Sequence, residues 1–299
     1  MSKPTTIPPK AKPTEQQQQL TVEPAPRNRL RVLILSIGAI MFIFPFYYMV
    51  IGSLQEEADK SFSGAFPHPD NMTVTNYQEI NQAIDAPRSL LNSTVFTIGV
   101  LLCTVLFGIL AGYALAVMHF RGRTTVLSAV LLVLVVPFQL LQIPLYVLIV
   151  RAYGLGDTYL GMIIPFAINS TAVFIFRQFF LQLPRELFEA AHIDGASELK
   201  TMLRVAIPLA RPAILNAVLL TFIGPWNEFL WPFLVTKQQD MQPFAVALAN
   251  YMNNVAGRAT NPDGANMAGG VLLAIPPVVL FLIFQKRFTS TNIGSGVKG

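Results

Sequence analysis

Apolar residues run along this chain in blocks too long for soluble helices and too continuous for half-buried strands. From Val32 to Leu54 no charge interrupts 23 positions. A helix of that length, at about 1.5 Å per residue, reaches roughly 35 Å and crosses a hydrocarbon core. Further apolar runs occupy 90–118, 126–150, 158–176, 213–235 and 267–284, separated by charges, prolines and glycines. The pattern predicts an all-α membrane protein with six transmembrane helices and both termini on one side. Residues 28–299 make up the six-span membrane domain. Residues 1–27 carry six prolines and the run Gln16 to Gln19, so they bury too little apolar surface to fold and are expected to be a disordered cytoplasmic tail.

Composition agrees: 53% of residues are apolar, 12% are charged and the mean hydropathy is positive. The lipid bilayer is the solvent for most of the chain. The first run follows a hydrophilic tail and has no small-x-small site behind it, so it is expected to be a retained anchor and not a cleaved signal. Cys103 is the single cysteine, and His68, His119 and His192 are scattered, which excludes a disulfide framework and argues against a metal centre. The net charge of +5 does not signal nucleic acid, because basic residues follow topology instead of forming a basic domain. Sixteen Lys and Arg fall in the tail, after span two, between spans four and five and at the C-terminus; the opposite loops hold five, with nine acids. Basic residues are retained in the cytoplasm. Both termini are therefore expected in the cytoplasm of a multi-pass cell-membrane protein.

Between spans four and five lies a short surface helix in the segment 181–212. Pro184 suits a first helical position, Glu186 favours the positive end of the helix dipole, and Gly195 can take the left-handed conformation that stops the helix. Leu187 and Ala191 share a face with Ala190 beside it, leaving a low surface against which another protein can lie. Resting on lipid headgroups is the other reading of such a segment.

Within the spans a few polar residues stand out. Gly108, Gly112 and Ala116 recur every fourth residue on span two, which permits close helix approach in lipid. Gln139 and Gln142 lie between Pro137 and Pro144, and Asn169 opens an Asn-Ser-Thr interruption of span four; they fit either a hydrated pathway or interhelical hydrogen bonds. Glu228 lies far from either end of span five and must face protein or water. Gly224 and Pro225 loosen its turn, Trp226 offers a flat face that can stack on a sugar ring, and Asn227 adds an amide. Pathway lining and an interhelical lock both remain open for Glu228. A proton-coupled secondary transporter using Glu228 is the alternative, although no inverted repeat is visible. Paired carboxylates, a His cluster and a Ser-Lys dyad are missing from the spans, so no enzyme centre is expected. The chain also lacks a G-x-x-x-x-G-K-[ST] loop for ATP phosphates.

Glu189-Ala190-Ala191, Gly195 and the later Val205, Ile207 and Pro208 resemble the EAA loop of binding-protein-dependent ABC importer permeases. Asn76-Tyr77, Asn92-Ser93, Gly112-Tyr113-Ala114, Trp226-Asn227-Glu228-Phe229 and Gly296-Val297-Lys298-Gly299 extend the resemblance to the carbohydrate-uptake branch and its maltose-type second permease. His192 stands where this branch often has Arg, and Thr291-Asn292-Ile293-Gly294 replaces a more glycine-rich turn. The resemblance implies a type I ABC importer permease (MetI-like) fold that translocates a sugar or related small carbohydrate. It implies a heterodimer with a second permease, an extracytoplasmic sugar-binding protein, and a separate ATPase dimer that holds ATP and Mg, leaving no cofactor on this chain. ATPase coupling would fall to Glu186, Glu189, Ala190, Ala191, Asp194, Gly195, Ala196, Ser197 and Pro208, with Lys298 reaching the ATPase dimer. In the maltose-type pair the sugar sits mainly on the other permease.

Overall fold

Because no backbone polar group can be left unpaired in lipid, the chain is expected to cross as helices, and it does. A computed structural model describes residues 29–59, 61–254 and 260–290; the expected disordered tail lies outside them. Met1–Tyr47 and Tyr48–Gly299 form two units. Helix α1 (Arg29–Ser53) runs across the boundary and is followed by α2 (Thr75–Ile84) and α3 (Ala86–Ala116). Next come α4 (Arg123–Val135), α5 (Phe138–Tyr146), α6 (Tyr159–Ile163) and α7 (Ser170–Leu181). Then follow α8 (Arg185–Ile193), α9 (Glu198–Thr201), α10 (Ile207–Leu209) and α11 (Arg211–Asn227). The chain ends in α12 (Leu230–Val235), α13 (Phe244–Asn254) and α14 (Pro262–Ser290). Among the described residues the one extended pairing is an isolated bridge between Gln55 and Met72.

Arg29–Ser53, Ala86–Ala116 and Pro262–Gln285 are each long and apolar enough to cross a membrane. Three further helix pairs have the length and composition of broken spans, which would bring the crossings to as many as six: Arg123–Val135 with Phe138–Ala152, Tyr159–Phe166 with Ser170–Leu181, and Glu198–Leu209 with Arg211–Asn227, bent by 96°, 50° and 72°. The runs 126–150, 158–176 and 213–235 are thus not the uninterrupted rods that hydropathy suggested. Pro137, with Val136 extended before it, breaks the first. Extended Asn169 breaks the second. The third run is broken at Glu228, extended between α11 and α12, while the 72° bend lies just before the run, at Ala210 between Pro208 and Pro212.

Helix α3 carries the core along its length. Near its start Ala86 joins Ile80, Phe244, Tyr251 and Ala268; at its middle Phe96 and Val100 pack with Met162 and Trp231; near its end Ile109 and Tyr113 meet Phe176, Phe180 and Phe188. At the first end Asn92 uses both amide donors and its oxygen toward neighbours. Its Nδ2 donates to the carbonyls of Asp240 and Gln242, at 2.8 and 3.1 Å, and its Oδ1 accepts from Tyr159 at 2.7 Å. Asn76 and Asn261 close the same end, both donating to the Gln55 carbonyl. In the loop before α2, Asp59 accepts from the Ser61 backbone N–H at 2.8 Å and the Ser63 hydroxyl at 2.6 Å.

The glycine register read from the sequence is a real contact. A Cβ at Gly112 would lie 2.6 Å from Phe176 Cβ and 2.9 Å from Arg177 N, and one at Gly108 would lie 3.0 Å from the Phe176 ring. Helix α7 therefore approaches α3 at backbone distance, which glycine allows and alanine does not. Gly112→Ala is expected to destabilise the protein by about 1–3 kcal/mol, read as a lower unfolding midpoint in detergent, while Gly38→Ala, with no neighbour within 4 Å, leaves the midpoint unchanged.

The Ser61 and Ser63 hydroxyls pull the Asp59 carboxyl down from its ordinary 3.8 to about 2. Because the folded value lies below the unfolded one, the loop order that this carboxylate supports is complete above about pH 4 and is lost as pH falls through about 2. Ser63→Ala is expected to move the Asp59 value back toward 3.8, measured by carboxyl carbon NMR titration.

Candidate coupling surface and pathway residues

Helix α8 is built as a knob. Pro184, extended, precedes it as the N-cap, one residue earlier than the sequence suggested. Glu186 lies in the first turn, where its charge meets the positive end of the helix. At the other end Gly195 takes φ +77°, the Gly195 N–H donates to His192 O at 3.0 Å and the Ala196 N–H to Ala191 O at 2.9 Å. Those two bonds with a left-handed residue form a Schellman stop. Ser197 then caps α9, accepting from Lys200 N at 3.4 Å. Glu186, Glu189, Ala190, Asp194, Gly195 and Ser197 are exposed, and Ala191 and Ala196 are half-buried. They lie together on α8 and its exit, while Pro208 is exposed on α10, beyond a π-helical turn from Met202 to Ala206.

The opposite side of α8 holds it down. Phe188 is buried, with its ring edge-on to Tyr113 at 6.1 Å, and Tyr113 is edge-on to Phe180 at 5.7 Å. Sequence reasoning named the small face and missed this anchor, although an aromatic residue adjacent to Leu187 on a short helix is the sign of a second, inward face. It also missed Ile193, which is 86% exposed and adds an apolar contact to the knob. A polar chain runs alongside: Tyr113 hydroxyl to Glu198 Oε2 at 3.0 Å, and Glu198 Oε1 to His192 Nε2 at 3.1 Å. His192 and Glu198, with Arg185, Glu189 and Arg123, border a cavity of about 270 Å³. Arg123 itself closes α3, donating to the carbonyls of Leu115, Ala116 and Met118, a cation at a helix C-terminus.

The pathway candidates are not gathered into one cluster. Gln139 is exposed and Gln142 buried on α5. Asn169 caps α7, accepting from Ala172 N at 3.1 Å, so its amide has a backbone role. Trp226 does not present its face to a pathway: it is buried, stacks on Phe222 and donates its indole N–H to Leu273 O at 3.0 Å. A large ring with one donor is satisfied in such a helix interface. Asn227 is exposed and donates to Ile223 O at 3.2 Å. Half-buried Glu228 sits at the break between α11 and α12, where its Oε1 accepts from Trp231 N at 3.2 Å. Lys298 lies outside the described residues. Among the described residues no group of three His, Cys, Asp or Glu side chains is placed to hold a metal.

Apolar helices long enough to cross a membrane, with a capped, exposed surface helix among them, define a polytopic transport permease. The chain belongs to the family described as the binding-protein-dependent transport system inner membrane component, whose model matches residues 104–292. It is 32% identical over 268 residues to the arabinooligosaccharides transport system permease protein AraQ of Bacillus subtilis (strain 168), covering 87% of this chain and 92% of that one. It is 30% identical over 268 residues to the sn-glycerol-3-phosphate transport system permease protein UgpE of Rhizobium meliloti (strain 1021), covering 87% and 94%. Among solved structures, a bacterial ABC transporter involved in the import of the acidic polysaccharide alginate contains a chain with the same fold, with a TM-score of 0.76, 23% identity and coverage of 87% of this chain and 95% of that one.

A Cβ at Gly195 meets nothing within 4 Å, so its constraint within this chain is backbone conformation alone. Gly195→Ala is expected to cost roughly 1–2 kcal/mol through left-handed strain, and Gly195→Asn less, because Asn tolerates that region. If Asn restores thermal stability but not transport, the bare surface at Gly195 serves a partner and not the fold; both are read from the same purified variants.

Proposed function

We propose that this permease subunit passes a saccharide or a related small polyol derivative across the cell membrane, taking it from an extracytoplasmic binding protein, and that a separate ATPase dimer gripping α8 drives the cycle. The observation that carries the reading is α8 itself: Glu189, Ala190 and Gly195 exposed on a Schellman-capped knob whose Phe188 is seated in the core. A helix that only rested on headgroups would turn its largest apolar side chain toward lipid; here that side chain points into the protein. The carbohydrate class is supported by the relatives named for arabinooligosaccharides and sn-glycerol-3-phosphate. The excess of Lys and Arg in the tail, the coupling segment and the C-terminus supports cytoplasmic termini and a cytoplasmic α8.

In this scheme Glu186, Glu189, Ala190, Ala191, Asp194, Gly195, Ala196, Ser197 and Pro208 form the coupling surface, and Lys298 extends the contact. A second permease completes the pathway. ATP and Mg stay on the ATPase. Of the pathway candidates Glu228 is the strongest, because the helix break exposes carbonyls and an acid together at a depth where unpaired polar groups need water or protein. Gln139, Gln142 and Asn227 are lesser candidates, and Trp226 and Asn169 have partners within the scaffold.

Two variants of the assembled importer test this. Glu189→Lys is expected to insert normally, to lose copurification of the ATPase and to abolish ATP-dependent uptake in proteoliposomes; retained copurification with normal uptake would sink the coupling reading. Glu228→Gln keeps an oxygen for the Trp231 N–H, so it is expected to preserve folding while lowering uptake several-fold. Glu228→Ala also removes that cap, with a further loss of stability of about 1 kcal/mol. Normal uptake by the Gln variant would leave Glu228 a cap and nothing more.

A further inference from the structure

Two kinds of contact join α8 to α3, and they differ in what they can transmit. The ring contact between Phe188 and Tyr113 is dispersive and has a broad geometric minimum, so one ring can slide over the other. The polar chain is directional. The Tyr113 hydroxyl donates to Glu198 Oε2 at 3.0 Å, Glu198 Oε1 meets His192 Nε2 at 3.1 Å, and His192 Nδ1 lies 2.7 Å from Phe188 O within α8. Each link involves a charged or strongly polar partner and weakens steeply once its angle or distance changes. The two carboxylate oxygens are used separately, one toward α3 and one toward α8, so Glu198 bridges helices distant in sequence. Tyr113 is 2% exposed, and its ring orientation is fixed by Phe180, so a pull on its hydroxyl acts on α3 and is not absorbed by a side-chain rotation.

We infer that Tyr113, Glu198 and His192 are positioning residues that make α3 follow α8, so that displacement of the coupling helix becomes displacement of span two. The inference rests on the proposed docking of an ATPase on α8. Neither Tyr113 nor Glu198 belongs to the exposed knob face, and neither lies among the pathway candidates; their role is the conversion between the two.

The test uses the whole importer in proteoliposomes and reads solute transported per ATP hydrolysed, together with the KM for ATP and the amount of assembled complex. Tyr113→Phe keeps both ring contacts and removes only the hydroxyl. It is expected to lower the transport-to-hydrolysis ratio about fivefold, the size of losing one hydrogen bond to a charged but partly solvated group, with assembly and KM unchanged. Glu198→Ala is expected to match it, and the double variant to be no worse than either, since all three cut one chain. Glu198→Gln is expected to stay close to the unaltered ratio, because its amide oxygen accepts from Tyr113 and its N–H reaches His192. A purely structural role would lower the assembled amount and leave the ratio alone. If the unaltered importer couples and Tyr113→Phe and Glu198→Ala couple equally well, the link is overturned. If hydrolysis in the unaltered importer ignores the transported solute, the docking reading fails, and the inference with it.

Discussion

The approach of α7 to α3 at Gly108 and Gly112 is the contact on which the rest of the coupling end depends. Side chains any larger would hold the helices apart, and Phe176 could not lie over the α3 backbone. Because α7 runs directly into Pro184 and α8, its distance from α3 sets where the knob begins. The same closeness brings Phe180 and Phe188 to Tyr113. The small residues thus do more than pack two spans: they place a surface helix against the one helix that touches all three parts of the core.

Helix breaks impose the second constraint. Each interruption at membrane depth frees donors and acceptors that lipid cannot satisfy, and at two of them the chain answers with a side chain close in sequence. Asn169 takes the Ala172 N–H and Glu228 the Trp231 N–H. Outside the spans Asp157 does the same across a longer gap, accepting from the backbone N–H groups of Lys237 and Gln238. Glu228 stands apart from Asn169 because a neutral acceptor would serve the cap equally well. A carboxylate there carries a desolvation burden that capping alone does not require, and this is why it remains a candidate for the pathway.

How much of this could be read from the sequence follows the range of the interactions. Gly195 as a left-handed stop and Gly112 as a close contact are local or periodic features, and their geometry is dictated by backbone sterics that any sequence displays, whereas hydropathy alone carried the run 126–150 straight through the break at Pro137. The polar partners were illegible for the opposite reason. Asn92 bonds to Asp240 and Gln242, and Tyr113 to Glu198; in the sequence each is one polar residue within or beside an apolar run, indistinguishable from a pore-lining one. Trp226 illustrates this. An aromatic next to an acid suggested a sugar platform, whereas the indole donor finds a backbone carbonyl on α14.

The two ends of α3 are held differently, and the difference bears on how a push at α8 is used. At the Ala86 end, Arg88, Asn92 and Ser93 bond to backbone atoms of Asp240, Gln242 and Phe244, and Asn92 also holds Tyr159. Several bonds to one backbone stretch cannot be broken singly without leaving buried groups unpaired, so this end is stiff. At the Ala116 end the connections are the close packing of α7 on Gly108 and Gly112, rings, an Arg123 clamp on the helix's own carbonyls and, toward α8, the single polar chain through Glu198. In the proposed scheme, a force delivered by α8 would reach α3 at the end farthest from these backbone bonds. There the directional link to α8 is the Glu198 chain, beside packing contacts that carry no such direction. The breaks at Pro137, Asn169 and Glu228 lie between these ends in the chain's other crossings, so tilting of α3 would be felt where the neighbouring helices are already interrupted and can yield without unravelling.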